Sequence, residues 1–145
     1  MIKVKRLTTT AKLPTKAHDS DAGFDIFADE DKVIQPMSRE SIHTGIAIEL
    51  PEIPESNKDI YLRIAPRSGL SVKSGIDIFA GVVDRGYTGE IVVCMFNSSK
   101  EEFKINKGDK IAQLIPTLIL KDSLIEVFEL EESKRGDKGF GSSGK

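Results

Sequence analysis

Five short stretches carry side chains that could act on a ligand, and most set them in turns that contain glycine. Ala22-Gly23-Phe24-Asp25 puts a carboxylate at the head of a strand-like run, where it is either a solvated turn residue or a partner for a cation. Ala65-Pro66-Arg67-Ser68-Gly69-Leu70-Ser71 offers a guanidinium, a hydroxyl and a glycine whose backbone can be approached closely. That set suits phosphate oxygens. In Gly81-Val82-Val83-Asp84-Arg85-Gly86-Tyr87-Thr88-Gly89-Glu90, apolar runs flank a polar turn with three glycines, which predicts a hairpin with Asp84 and Tyr87 near its bend. There Asp84 is a candidate general base and Tyr87 a flat face for a sugar or base; the plainer reading is a turn with an incidental Asp and Tyr. Gly108-Asp109-Lys110-Ile111-Ala112-Gln113-Leu114-Ile115 is a turn entering a strand with one amide among apolar neighbours. Such an amide points outward or has a definite partner.

The fifth stretch, residues 135–145, joins phosphate-binding residue types to one ring, Phe140. Its end matches G-x-x-x-x-G-K, but no β run precedes it, so it is not a P-loop. Glycine-rich backbone with hydroxyls can still wrap a polyphosphate.

Short apolar segments must position these groups. Ile42, Thr44, Ile46, Ile48 and Leu50 alternate with small or polar residues, and Ile60-Tyr61-Leu62-Arg63-Ile64 repeats the pattern. Both have the period of a half-buried strand. Further strands are predicted over 24–28, 76–83, 89–96, 103–105, 111–120 and 124–130, separated by turn signals such as Pro36 and Lys107-Gly108-Asp109. Many short strands with frequent turns indicate an all-β sandwich, jelly roll or barrel. A helical turn or two is expected only after Ser68. Residues 51–59 read as a polar surface loop with no assigned role, and residues 131–145, with four glycines, cannot bury enough surface to offset ordering.

A length of 145 residues argues for one domain. Charged residues make up 30% and the net charge is −2, without the basic stripe of a nucleic-acid binder. An anionic ligand must then be held by a few placed cations, backbone N–H groups or a metal. Two histidines and one cysteine leave little material for zinc sites or for Ser-His or Cys-His catalysis. Oxygen ligands abound, so any metal should be hard, with magnesium carried on phosphates the best fit. Cys94, inside the apolar run 91–96, is expected as a small core residue; with no intrachain disulfide to form, a reducing compartment is expected. The N-terminal residues lack an apolar signal-peptide region and no stretch approaches transmembrane length. The expectation is a soluble intracellular protein, cytoplasmic or nuclear, without nucleic-acid or membrane partners; a virus-encoded origin is equally compatible.

Together and in this order, the five stretches resemble the five motifs of trimeric dUTPases: 22–25 the first, 66–70 the second, 81–90 the third, 108–115 the fourth and 135–144 the fifth. The resemblance implies a distorted β-barrel or jelly-roll domain over residues 1–130. A flexible arm over 131–145 would complete a neighbouring active site in a homotrimer with interface sites. It implies hydrolysis of dUTP to dUMP and pyrophosphate by water attack on the α-phosphate, with Mg2+. By similarity, one subunit would supply Asp25, Arg67, Ser68, Gly69 and Gln113. A second would supply Gly81, Val83, Asp84 and Tyr87, and the third its arm. Asp84 would orient and deprotonate the water, and Tyr87 would pack under the deoxyribose and exclude a 2′-hydroxyl. Backbone groups of the 81–89 segment would read uracil. Ser68, Gly69 and Gln113 would bind phosphate oxygens, and Asp25 would hold the magnesium through its waters. Phe140 would stack on uracil, with Arg135, Gly141, Ser142 and Ser143 closing over the phosphates. Phe24 stands where the family often has Tyr, and Ser143 where Thr is common. Two other readings share the fold: a dCTP deaminase, which the Asp-x-x-Tyr spacing at 84–87 disfavours, and a binding module that has lost its chemistry.

Overall fold

A computed structural model describes residues 1–55 and 57–137. Its elements run β1 (Lys3–Arg6), β2 (Phe24–Phe27), β3 (Lys32–Ile34), β4 (Ser38–Glu49), β5 (Lys58–Ala65), α1 (Ser68–Ser74), β6 (Ile76–Phe79), β7 (Val82–Val83), β8 (Glu90–Asn97), β9 (Phe103–Ile105) and β10 (Lys110–Leu120). The strands form two four-stranded sheets, ordered β1-β4-β8-β6 and β2-β10-β5-β7, and a small β3-β9 ribbon. Every pairing between these strands is antiparallel.

The alternation in the sequence explains which faces meet. In β5, Ile60, Leu62 and Ile64 are buried while Arg63 is exposed. In β8, Ile91, Val93, Met95 and Asn97 point inward. All of these buried side chains but the polar Asn97 join Ile42, Ile46 and Ile48 of β4 and Ile111 and Leu114 of β10 in one core cluster between the two sheets. Full burial of an Ile or Leu contributes roughly 1.5–3 kcal/mol. Among the described residues no ladder joins one four-stranded sheet to the other. The expected all-β fold is thus realised as two facing sheets that do not close into a barrel.

Two expectations need correction. Cys94 is half-buried rather than in the core. The strand period of two sends it to the outer face of β8, opposite Phe79 in the β6–β8 register and near the stacked Phe79–Phe96 rings, whose centroids are 5.0 Å apart. The strand expected over 124–130 is not formed: Leu124, Ile125, Phe128 and Leu130 are all exposed. Among the described residues, the last backbone tie to the body of the protein is at Lys121, whose N–H donates to the Asn57 carbonyl at 2.9 Å. An apolar run makes a strand only where a partner edge is available, and this segment finds none among the described residues.

β4 and β8 are locked by a charged pair at a bulge. The register shifts between His43 and Ala47, with Gly45 at φ 65°, a left-handed conformation that favours glycine. His43 Nδ1 lies 3.0 Å from Glu90 Oε2, and the Gly45 N–H donates to Glu90 Oε1 at 2.9 Å. The hydrogen bond to Glu90, then its charge, raises the His43 pKa above 6.5. Burial pushes Glu90 up, but the bonds from His43 and Gly45 outweigh it and hold its pKa below 4.5. A raised histidine pKa stabilises the fold fully below the ordinary histidine value and loses that contribution as pH rises through the higher folded value. The melting temperature is therefore expected to fall modestly as pH rises above about 6.5, and His43→Gln should flatten that slope in a thermal scan series.

Candidate active site

β10, second in its sheet and paired on both edges, assembles the first group of candidate residues. Gln113 lies opposite Asp25 of β2 on one side and Ala65 of β5 on the other. A single register therefore brings together three stretches far apart in sequence. Gln113 Nε2 donates to the Pro66 carbonyl at 2.9 Å, the definite partner that a half-buried amide needs. This bond ties the strand to the turn that enters α1.

Arg67 is the residue before α1, extended at φ −86° and ψ 128°. Its Nε donates to Asp25 Oδ1 at 3.1 Å, and Lys110 Nζ lies 2.7 Å from Oδ2. Asp25 is thus half-buried between two cations. Asp25, Arg67, Ser68, Gly69 and Gln113 share one cleft of about 450 Å³, which Asp21 and Lys73 also line. A Cβ at Gly69 would meet nothing within 4 Å. Packing therefore does not require glycine there, and the exposed backbone is open to close approach by a ligand. The N–H groups of Ser68 and Gly69, in the first turn, have no partner within the helix.

Asp84 and Tyr87 belong to a different cleft of about 230 Å³, lined also by Val83, Ile64 and Glu90. The expected hairpin takes another form. β7 pairs with β5, whereas β8 pairs with β6 and β4. The paired arms are β6 and β8, and the stretch between them crosses from one sheet to the other. Ala80, at φ 53°, makes the turn out of the first sheet in a conformation uncommon for a residue with a Cβ. At Gly81 the chain meets β5: Ile64 N–H donates to the Gly81 carbonyl at 2.8 Å, and a Cβ would sit 2.4 Å from the Ile64 oxygen. Glycine is required there by packing alone. Val83 packs against the core.

Beyond Val83, the Tyr87 N–H closes a turn onto the Asp84 carbonyl at 3.0 Å. The Tyr87 hydroxyl donates to the Glu90 carbonyl at 2.9 Å, which fixes the ring while leaving the residue 49% exposed. Asp84 is exposed, and its carboxylate makes no hydrogen bond or ion pair among the described residues. Val83 lies opposite Leu62, three residues before Ala65, so about 10 Å of β5 separates the two groups. Within one chain the two clefts are distinct.

The remaining candidates lie on the tail. Arg135 is exposed; Phe140, Gly141, Ser142 and Ser143 fall outside the described residues. Among the described residues no cluster of three or more His, Cys, Asp or Glu could hold a metal ion. The sequence reading missed Lys110, although it follows the Gly108-Asp109 turn directly; its approach to Asp25 depends on the β2–β10 register.

The dUTPase family model matches residues 9–144. The chain belongs to the dUTPase family. A deoxyuridine 5'-triphosphate nucleotidohydrolase of Alkaliphilus metalliredigens is 48% identical over 145 residues, covering 99% of this chain and 96% of that protein. A solved dUTPase of Staphylococcus bacteriophage 80alpha, bound to dUPNHPP, is 32% identical with a TM-score of 0.89, covering 100% of this chain and 99% of that one. A mutant dUTPase from phage phi11 of S. aureus, described with a structural Mg(II) ion, is 28% identical with a TM-score of 0.81; the match covers 91% of this chain and 99% of that one.

Neighbouring positions in β10 should separate folding from turnover in this dUTPase-family chain. Leu114 is 2% exposed in the core, so Leu114→Ala is expected to cost about 2–5 kcal/mol. Gln113→Ala removes a half-buried bond at the cleft and should lower turnover while barely moving the melting temperature. Equal thermal destabilisation by both would make Gln113 a purely structural amide.

Proposed function

We propose that this dUTPase-family enzyme works through a site that several copies of the chain assemble in a homotrimer. Its reaction is the hydrolysis of dUTP to dUMP and pyrophosphate. The observation that carries the proposal is the split within one chain: Asp25, Arg67, Ser68, Gly69 and Gln113 line one cleft, and Asp84 and Tyr87 another. A triphosphate held at the first is served by an Asp84 turn only if a second subunit brings its own.

In that arrangement the phosphate oxygens meet Arg67, the Ser68 hydroxyl, the Gly69 backbone and the Gln113 amide. Segment 81–89 of the neighbour reads uracil through its backbone, with Gly81 and Val83 at its base. Tyr87 packs under the deoxyribose, where a 2′-hydroxyl would collide. Asp84 aligns a water with the α-phosphorus and takes its proton as the new P–O bond forms. The bond from the α-phosphorus to the bridging oxygen breaks, and pyrophosphate leaves. A carboxylate is a weak base, so aligning the water is its larger contribution. A third subunit's arm closes the site, with Phe140 on the uracil and Arg135, Gly141, Ser142 and Ser143 over the phosphates. Residues 1–130 then act as the catalytic body and 131–145 as the arm.

Magnesium fits this donor set in one way. Each Asp25 oxygen already faces one cation, yet a carboxylate has about four acceptor sites, so Asp25 can still take hydrogen bonds from waters around an ion. The ion would draw its direct ligands from phosphates and water, and when bound it neutralises phosphate charge. Hydrolysis of dUTP limits uracil incorporation into DNA and supplies dUMP for dTMP synthesis.

The test is pyrophosphate release from dUTP, dTTP, dCTP and UTP, with and without magnesium. Strong release from dUTP alone, dependent on magnesium, supports the proposal. Comparable kcat/KM for dUTP and UTP would remove the sugar-packing role of Tyr87. Ammonia release from dCTP would favour the deaminase reading.

A further inference from the structure

Glu52 and Asp59, near the start of β5, meet the Asp84 turn through one arginine. Arg85 Nε donates to Asp59 Oδ1 at 2.7 Å, and Arg85 Nη1 lies 3.8 Å from Glu52 Oε1. Asp59 is held in turn. The Ile60 N–H donates to its Oδ1 at 2.8 Å, and Lys121 Nζ lies 4.0 Å from its Oδ2. The Ile60 N–H and then the Arg85 guanidinium hold the Asp59 carboxyl below the usual carboxylate range, so it is charged at neutral pH. Asp59 also lies opposite Ile119 in the β5–β10 ladder, which fixes its backbone in the sheet. Arg85 and Asp59 expose only 32% and 19% of their side chains.

The turn needs such an anchor. β7 contributes two paired residues, Val82 and Val83, and its ladder to β5 ends at Leu62↔Val83. Asp84 and Arg85 follow immediately with no strand partner. The antiparallel register, continued two residues, carries Arg85 toward Ile60 and the carboxylate of Asp59 beside it. Within the turn the bonds of Tyr87 to Asp84 and Glu90 set its shape, but they do not fix its position against β5. The side chain next to Asp84 does.

We propose that Asp59 and Arg85 form a clamp that positions the Asp84 turn on β5, which makes both of them positioning residues for dUTP hydrolysis. The catalytic consequence rests on the role given above to Asp84; the mechanical one does not. A partly exposed ion pair adds little to global stability, so its loss should show in the place of Asp84 and not in the melting temperature. A small misplacement of a catalytic group can cost up to about 100-fold in rate.

The experiment compares Arg85→Gln, Asp59→Asn, their double variant and Arg85→Lys. Each is measured for kcat and KM with dUTP, for melting temperature, and for hydrogen exchange of the Tyr87 amide. Each single neutral variant should lose about 10-fold in kcat, with KM and melting temperature nearly unchanged and faster exchange at Tyr87. The double variant should be no worse than either single one, because one interaction is lost in all three. Arg85→Lys keeps the charge and should retain most of the activity. Unchanged kcat in the single variants, losses that multiply in the double, or loss of rate matched by loss of fold would overturn the clamp. If the unaltered protein released no pyrophosphate from dUTP, the reading of the reaction would fail. The clamp would then be judged by exchange alone, standing if Tyr87 exchanges faster in the variants and falling if it does not.

Discussion

Asp84→Asn is expected to lower kcat for dUTP by about 10²–10⁴, the range for a lost general base, while dUTP binding is largely kept. The asparagine preserves the shape and part of the hydrogen bonding, so the turn closed by Tyr87 N–H on the residue 84 carbonyl should persist. Asp84 is exposed at the edge of its cleft, and its replacement removes no core contact. Melting temperature should therefore not move. Single-turnover kinetics with equilibrium binding of a non-hydrolysable dUTP analogue separates the two effects. Near-normal kcat in this variant would sink the assignment.

Removal of residues 135–145 is expected to be as damaging to activity and equally harmless to folding. From residue 122 to 137 every described side chain is exposed, and the last described strand ends at Leu120. Among the described residues, the core cluster contains none beyond Leu114. Truncation at 134 should thus leave assembly and melting temperature intact. Turnover should fall by at least about 100-fold if the arm closes the site, since closure supplies both positioning and water exclusion. Loss of the trimer on truncation would instead make the arm an assembly device.

Much of the fold was legible because alternation is a local signal. Ile60, Leu62 and Ile64 announce both a strand and its buried face, and Ser68 opens the one helix among the described residues, as expected. Gln113 was recognisable as an amide in need of a partner, although Pro66 could be named only from the register. What failed depends on pairing, which no local pattern encodes. The apolar runs on either side of Asp84 read as the two arms of one hairpin, yet β7 joins β5 and β8 joins β6. The apolar residues over 124–130 suggest a strand without saying which edge would receive it. Cys94 sits in an unbroken apolar run, where the period of two is hidden because both faces of β8 are apolar. Asp59 lay in a stretch read as plain loop; its importance appears only when the β5–β7 register brings Arg85 beside it. The tail residues from Phe140 to Ser143 carry roles taken from family resemblance, and they lie outside the described residues.

The central claim is that one active site draws on several chains, and it is tested most directly by complementation between two inactive variants. Asp84→Asn chains keep intact arms; chains truncated at 134 keep Asp84. Co-refolded together, they form mixed trimers in which some sites receive Asp84 from one chain and the arm from another. The measurement is pyrophosphate release from dUTP by the mixture against each variant alone, with mixed trimers verified by native mass spectrometry. The account predicts recovered hydrolysis well above either variant. Mixed trimers without recovered activity would contradict it, and an arm that folds onto the site of its own Asp84 turn would be the better description.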